Sequence, residues 1–290
     1  MTVASRPQVV ARVAELRELL APVRRAGKRI GLVPTMGALH EGHLSLVRAS
    51  KAECDFTVVS IYVNPTQFGP GEDLDKYPRT LDADLDALAR CGVEAVLVPS
   101  NEEVYPEGHA TRVEVAGVAE PLEGACRPGH FCGVATIVLK LLNMVQPDVA
   151  YFGQKDYQQW LVIRRMVEDL NVPVEVRRCP IVREPDGLAM SSRNAYLSAE
   201  GRRRALVLSQ SLKLAGQLVA GGQRDARAIV DEMRRLVLAE GGAQIDYITV
   251  ADPETLDPIE EIRGPALAAL AVRIEETRLI DNCLLKPDGE

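Results

Sequence analysis

Aromatic side chains are scarce in this 290-residue chain, at 4% of it, with one tryptophan. Proteins that grip single-stranded nucleic acid stack bases on aromatics, so that mode has little to work with. Positive charge is also in deficit. Against 34 lysines and arginines stand 41 aspartates and glutamates, a formal net charge of -7, and no basic tract breaks the pattern. Sequence-independent binding to a phosphate backbone is therefore disfavoured. No apolar run approaches the ~20 residues needed to span a bilayer. Arg6, Arg12, Glu15, Arg17 and Glu18 interrupt the region where the apolar stretch of a secretory signal would lie. None of the six cysteines (Cys54, Cys91, Cys126, Cys132, Cys179, Cys283) forms a C-x-x-C pair, which argues against zinc-ribbon and thioredoxin-type sites. These absences point to a cytoplasmic enzyme with reduced thiols and with neither nucleic acid nor membrane as partner.

Hydrophobic residues, at 47%, are plentiful enough for a large core in one or two domains. Through the first half, strand and helix patterns alternate. A charged amphipathic helix is predicted over Val9 to Arg25, with Val9, Val13, Leu16 and Leu20 on one stripe. Strands follow at Lys28–Val33, Asp55–Val63, Val93–Val98, Asp148–Phe152 and Val172–Cys179, and helices at Gly42–Ala52, Leu81–Cys91, Phe131–Gln146 and Asp156–Leu170. The Asp55–Val63 run is apolar almost throughout, as in strands buried on both faces. This order implies an α/β fold: a Rossmann-like parallel sheet with helices on both faces. Beyond residue 180 the pattern changes to two helices, about Ala199–Ala220 and Arg224–Ala239, and three strands, Ile245–Val250, Ala266–Ile274 and Arg278–Leu284. The expected organisation is a Rossmann-like nucleotide- and substrate-binding domain over 1–180 and a smaller α+β domain over 181–290.

Ligands of such sheets sit beyond the carboxyl ends of the strands, so the turns there carry the chemistry. The chain has four histidines, and two of them fall in one such turn, His40-Glu41-Gly42-His43. It follows Pro34-Thr35-Met36-Gly37 and opens a helix, whose N-terminus is a ready seat for phosphate. Zinc ligation and a helix cap that happens to carry imidazoles are the alternatives, but H-E-G-H lacks the spacing of the H-E-x-x-H zinc pattern. The histidines are better read as hydrogen-bond donors to a triphosphate. Gly153-Gln154-Lys155-Asp156 follows another strand, with a permissive glycine, a point charge and a helix-capping carboxylate. Met190-Ser191-Ser192-Arg193 offers two hydroxyls and a guanidinium as a phosphate clamp. A surface lysine and a polar connector are the bland readings of these two. Acids crowd Asp73, Asp75, Asp82, Asp84 and Asp86; most suit helix starts, and one of them could help place a Mg²⁺ that would accompany a nucleotide. Asn64, Gln67 and Gln159 are neutral donors and acceptors.

Together these runs resemble the pantothenate synthetase (pantoate–β-alanine ligase) family, within the H-x-G-H nucleotidyltransferase superfamily. The resemblance is carried in order by the runs Pro34 to His43, Val63-Asn64-Pro65-Thr66-Gln67-Phe68, Tyr77-Pro78-Arg79-Thr80, Arg127-Pro128-Gly129-His130-Phe131, Tyr151 to Gln159, and Met190-Ser191-Ser192-Arg193-Asn194. It implies that ATP and pantoate give a pantoyl adenylate and pyrophosphate, and that β-alanine then displaces AMP. It assigns His40 and His43 to ATP, with His43 a proton donor toward pyrophosphate. Lys155, Ser191, Ser192 and Arg193 would hold phosphates, and Met36, Gly37, Gly153, Gln154, Asp156, Val182 and Met190 would line the nucleotide site. Gln67 and Gln159 would hold pantoate, with Asn64 and His130 beside them. The C-terminal domain would act as a lid, and the protein as a homodimer. The chain departs from the family at Cys132, where Asp is frequent, at Gln154, where an acid is common, and at Asp82-Ala83-Asp84, which breaks a longer acidic run and, set against the family, leaves Asp84 as the expected Mg²⁺ ligand. The alternatives are a nucleotidyltransferase acting on a phosphorylated acceptor and a non-catalytic nucleotide sensor.

Overall fold

The run that ends at Thr35 lies at the centre of a six-stranded sheet. In the computed structural model, which describes residues 6–287, the strands are β1 (Gln8–Val10), β2 (Ile30–Thr35), β3 (Phe56–Ile61), β4 (Ala95–Leu97), β5 (Val149–Gly153) and β6 (Glu175–Cys179). All pair in parallel, in the order β1-β4-β3-β2-β5-β6. Residues 1–5 and 288–290, the ends of the two expected domains, lie outside the described residues.

Side chains alternate across this sheet with period two. Val33, Val59, Ile61, Val96, Val149 and Tyr151 join a core with Leu46 and Val47 of α2 (Glu41–Glu53) and Leu85 and Leu88 of α3 (Leu81–Arg90). Leu32, Val58 and Ala150 point the other way, where α6 (His130–Val145) packs against β2 and α1 (Val13–Arg25) packs against α6. The expected sheet with helices on both faces is thus present. Walking along the chain, β2, β3 and β4 step to one side, while β5 and β6 lie on the other side of β2. The direction reverses between β2 and β5, which makes that junction the topological switch point.

One close approach sets the height of α2. A Cβ added at Gly31 would lie 2.1 Å from Ser50 Oγ. The missing side chain lets α2 settle onto β2, and Ser50 Oγ is hydrogen-bonded to Thr57 Oγ1 at 2.8 Å.

The helix predicted from Val9 begins at Val13 instead, because Gln8–Val10 pairs with Ala95–Leu97 as an edge strand. Only Val10 of the three is buried, and a three-residue run is too short to show the period of a strand in sequence. Two one-turn helices, α4 (Asn101–Val104) and α5 (Glu123–Cys126), were beyond the reach of periodicity for the same reason.

Backbone contacts divide the chain into two compact units. The first contains residues up to Ala119, Arg127–Gly153 and Gln159–Pro180; the second contains Ile181 onward together with Glu120–Cys126 and Gln154–Gln158. The helix α7 (Tyr157–Asp169) starts in that last segment. In the second unit α8 (Ala199–Ala220) and α9 (Ala226–Ala239) cover an antiparallel sheet of β7 (Ala243–Ala251), β8 (Ala266–Ile274) and β9 (Thr277–Leu285). Ser198 and Asp225 cap the helices, accepting from Gly201 N–H at 2.9 Å and Ala228 N–H at 3.0 Å. Leu208, Leu212, Ile229, Met233, Leu270 and Val272 form the middle of its core.

Candidate functional site

The histidine turn grows out of the end of β2. Thr35 Oγ1 donates to the carbonyl of Ser60 at 2.7 Å and accepts the N–H of Gly37 at 3.2 Å. Gly37 and Ala38 both have positive φ, 84° and 50°. The N–H groups that follow converge on one carboxylate. Ala38 donates to Asp84 Oδ2 at 3.0 Å and Leu39 to Asp84 Oδ1 at 2.8 Å, while Thr80 Oγ1 donates to Oδ1 at 3.2 Å. Three of the roughly four acceptor positions of a carboxylate are occupied, and Asp84 is only 3% exposed. In this geometry the charge of Asp84, expected on a metal, is engaged in holding the turn. Among the described residues no group of three or more His, Cys, Asp or Glu is arranged to hold a metal ion.

The turn ends in a helix cap made of two imidazoles. His40 is the N-cap of α2, and its Nδ1 accepts the N–H of Gly42 at 3.1 Å. The N–H of His40 points in turn at His43 Nδ1, 3.4 Å away. The rings lie 4.1 Å apart, tilted by 35°. A ring nitrogen that accepts a hydrogen bond carries no proton, so this geometry assigns the N–H of each neutral imidazole to Nε2. The capping reading of the sequence is thus present in the structure. The cap fixes both tautomers, and the helix N-terminus offers ring N–H groups where backbone N–H groups were expected.

A second cluster in the first unit surrounds Gln67. Asn64 is 1% exposed and fully engaged. Its Nδ2 donates to Gln67 Oε1 and to the carbonyl of Gly133, both at 3.2 Å. Its Oδ1 accepts from the hydroxyl of Tyr105 at 2.9 Å, from Thr66 Oγ1 at 3.0 Å and from Thr66 N–H at 3.4 Å. With that capacity used, Asn64 shapes the loop that carries Gln67. The Gln67 amide donates to Met36 Sδ at 3.0 Å, which joins two residues expected on different ligands.

His130 Nδ1 lies 2.8 Å from the carbonyl of Gln67, so Nδ1 is its donor; Nε2, 3.1 Å from Arg127 Nη1, is then the acceptor. Arg127 is held in turn by a two-pronged pair with Glu72, at 2.7 and 2.6 Å. Burial alone would raise the Glu72 carboxyl, but the hydrogen bonds and charge of Arg127 hold it below the usual carboxylate range. Glu72 went unnoticed in sequence because it sits in an acid-rich loop, 55 residues from its partner. Gln159, in the first turn of α7, is half-buried.

In the second unit, Lys155 occupies a single 3-10 turn, Gln154–Asp156, that follows Gly153, the last residue of β5. Its Nζ lies 3.6 Å from Asp156 Oδ1. Residues 182–190 form a hairpin: Arg183 bridges Ala189, and Met190 N–H donates to the carbonyl of Val182 at 3.0 Å. Ser191 Oγ accepts the N–H of Arg193 at 3.3 Å and so caps the turn Ser192–Tyr196. The structure thus brings Val182 together with Met190, and Ser191 with Arg193.

A parallel α/β sheet with a histidine-capped helix beyond its switch-point strand defines a nucleotide-binding protein of the H-x-G-H nucleotidyltransferase type. The sequence profile of the Pantoate-beta-alanine ligase family matches residues 8–284. The chain belongs to that family, and it is an enzyme that ligates pantoate and β-alanine with ATP. Pantothenate synthetase of Moorella thermoacetica is 54% identical over 274 residues, covering 94% of this chain and 97% of that protein. The crystal structure of the Thermus thermophilus pantothenate synthetase superposes with a TM-score of 0.91 at 48% identity, covering 95% of this chain and 98% of that one. That of the Francisella tularensis pantoate-beta-alanine ligase, complexed with beta-gamma ATP and beta-alanine, gives 0.78 at 34% identity, with 96% and 97% covered.

Proposed function

We propose that ligation runs through a pantoyl adenylate. A pantoate carboxylate oxygen attacks the α-phosphorus of ATP, and the bond from that phosphorus to the pyrophosphate oxygen breaks. The amine of β-alanine then attacks the acyl carbon, the bond to AMP breaks, and the amine loses its proton to solvent. The observation behind this reading is a pair of imidazoles at the cap of α2 whose Nδ1 atoms both accept backbone N–H groups, which places the ring N–H of each on Nε2. Burial raises the thiol pKa of Cys54, Cys126 and Cys179 and pushes Cys283 up to about 12, which makes these four poor nucleophiles. Without a covalent enzyme intermediate, catalysis rests on positioning and on stabilising charge that develops on pyrophosphate.

In this proposal His40 and His43 donate hydrogen bonds through Nε2–H to ATP, with that of His43 directed at the oxygen that gains charge as pyrophosphate leaves. Lys155, Ser191, Ser192 and Arg193 hold phosphates, while Met36, Gly37, Gly153, Gln154, Asp156, Val182 and Met190 line the nucleotide. Gln67 and Gln159 hold pantoate, with Asn64 and His130 beside Gln67. Mg²⁺ would arrive with the phosphates of ATP, since it keeps several waters and needs few protein ligands; among the described residues no group of three or more His, Cys, Asp or Glu is arranged to cage it. A cytoplasmic homodimer completes the reading, and sedimentation velocity tests the dimer. No helix among the described residues is long and apolar enough to cross a membrane.

The experiment is isotope exchange. Labelled pyrophosphate should enter ATP only when pantoate is present, and exchange without pantoate would sink the adenylate route. The pantoate assignment has its own test at Gly133. A Cβ added there would sit 2.3 Å from the carbonyl oxygen of Thr66 and 2.7 Å from the backbone nitrogen of Gln67. Backbone cannot swing aside as a side chain can, so Gly133→Ala must shift the Gln67 loop. Misplacing a binding group by about 1 Å costs about 10²-fold. Steady-state kinetics should show the KM for pantoate rising tenfold or more, by that same order-of-magnitude argument, with the KM for ATP little changed. An unchanged pantoate KM would remove Gln67 from the pantoate site.

A further inference from the structure

Strand β9 carries two consecutive polar residues in an otherwise apolar stretch, Leu279-Ile280-Asp281-Asn282-Cys283-Leu284-Leu285. Asp281 and Asn282 are 2% and 3% exposed, opposite the buried Leu270 and Ala269 of β8. Burying two polar side chains in a sheet costs stability unless both are fully partnered. Their partners belong to the elements assigned above to phosphate.

Asn282 Nδ2 donates to the carbonyls of Gln154 at 3.0 Å and Lys155 at 2.9 Å. Its Oδ1 accepts from Gln154 Nε2 at 3.5 Å, a bond that an acidic side chain at 154 could not make. Two successive carbonyls are thus fixed, and with them the peptide planes from which the Lys155 side chain leaves. Asp281 takes both prongs of Arg183, Nη1 to Oδ2 at 2.6 Å and Nη2 to Oδ1 at 3.0 Å. Arg183 Nη1 also donates to the carbonyl of Gly187 at 3.1 Å, inside the hairpin that ends at Met190. Neighbouring residues of a strand project to opposite faces, so the two tethers do not compete for space.

We propose that Asp281 and Asn282 are positioning residues for the adenylation step, one tying the 182–190 hairpin that leads into Ser191–Arg193 and the other the Lys155 turn to a single rigid strand. The proposal rests on the assignment of Lys155 and Ser191–Arg193 to ATP phosphates. It follows from what a loop lacks: a lysine on a three-residue turn is placed no better than its backbone, and sites anchored on strands are held more tightly.

The test is a double-mutant comparison read by pantoate-dependent pyrophosphate exchange. Asn282→Ala should lower kcat/KM for ATP by about 10–10²-fold, while the KM for pantoate stays within about twofold. In a Lys155→Ala background the same change should add less than about threefold, because Asn282 acts through the turn it holds. Wild-type exchange in Asn282→Ala, or full multiplication of the two effects, overturns the proposal. Wild-type exchange in Lys155→Ala overturns instead the phosphate assignment beneath it. For the other tether, Arg183→Met with Asp281→Leu removes the ion pair as a unit, which folds more safely than leaving one buried charge. It should raise the KM for ATP about tenfold or more by the same positioning argument, and an equal rise in both KM values counts against the proposal. Asn282→Ala leaves no charge behind and decides the Lys155 tether; where the double variant fails to fold, Asp281→Asn, which keeps one acceptor for Arg183, should still raise the KM for ATP more than that for pantoate, and an unchanged KM for ATP overturns the Asp281 tether.

Discussion

Replacing His43 with alanine is expected to lower pantoate-dependent pyrophosphate exchange by about 10²–10³-fold, the usual cost of losing one donor to a charge that develops in the transition state. Stability should change far less. The imidazole accepts a long hydrogen bond from the N–H of His40, 3.4 Å away, and a lost cap costs about 1 kcal/mol. For a protein of this size that is a drop in Tm of about 2–4 °C. The separation between the two readouts is what identifies the role. A capping histidine with no part in chemistry would show the small melting shift and near-wild-type exchange, and that result would refute the assignment. His40→Ala removes the acceptor for Gly42 N–H at the better distance of 3.1 Å, so its melting shift should be the larger of the pair.

The strands and helices that frame this site were legible in sequence because their signals are local. Ala266–Ile274 reads as one apolar run and is strand β8 over those same residues. Gly92 reads as a helix terminator, and it has φ of 71° just beyond α3. The histidine turn, Lys155 and Ser191–Arg193 were legible as motifs. Their supports were not. Asp84 lies 46 residues from Ala38, Glu72 lies 55 from Arg127, and Asn282 lies 127 from Lys155. Each is a polar residue whose purpose exists only once the chain has folded, since the partner is a backbone group or a side chain that no spacing rule connects to it. Asn64 shows the same limit from the other side. Its place in a motif suggested a ligand, and only the fold shows that its hydrogen bonds, filled by Gln67, Gly133, Tyr105 and Thr66, make it a brace as well.

Asp84 offers the sharpest contrast between what a motif suggests and what a fold requires. Asp84→Ala should strip acceptors from the N–H groups of Ala38 and Leu39 in a turn that already holds Ala38 at φ of 50°. Each buried donor left unpaired costs about 1–3 kcal/mol, so the expected loss is about 2–4 kcal/mol, visible as a lower urea midpoint with an unchanged m-value. Activity should fall with it, since the turn leads directly into His40. Asp84→Asn separates this account from metal ligation. The amide keeps one oxygen for Leu39 and Thr80 but turns a second donor toward Ala38, so stability should still drop by about 1–3 kcal/mol. A turn anchor leaves the Mg²⁺ concentration for half-maximal exchange within about twofold of wild type, whereas a lost carboxylate ligand weakens metal binding by about tenfold or more, the scale already seen for partners one shell further out. A large shift in the Mg²⁺ requirement with unchanged stability would restore Asp84 to the metal; a stability loss at constant Mg²⁺ requirement leaves it where the hydrogen bonds put it, beneath the histidine turn.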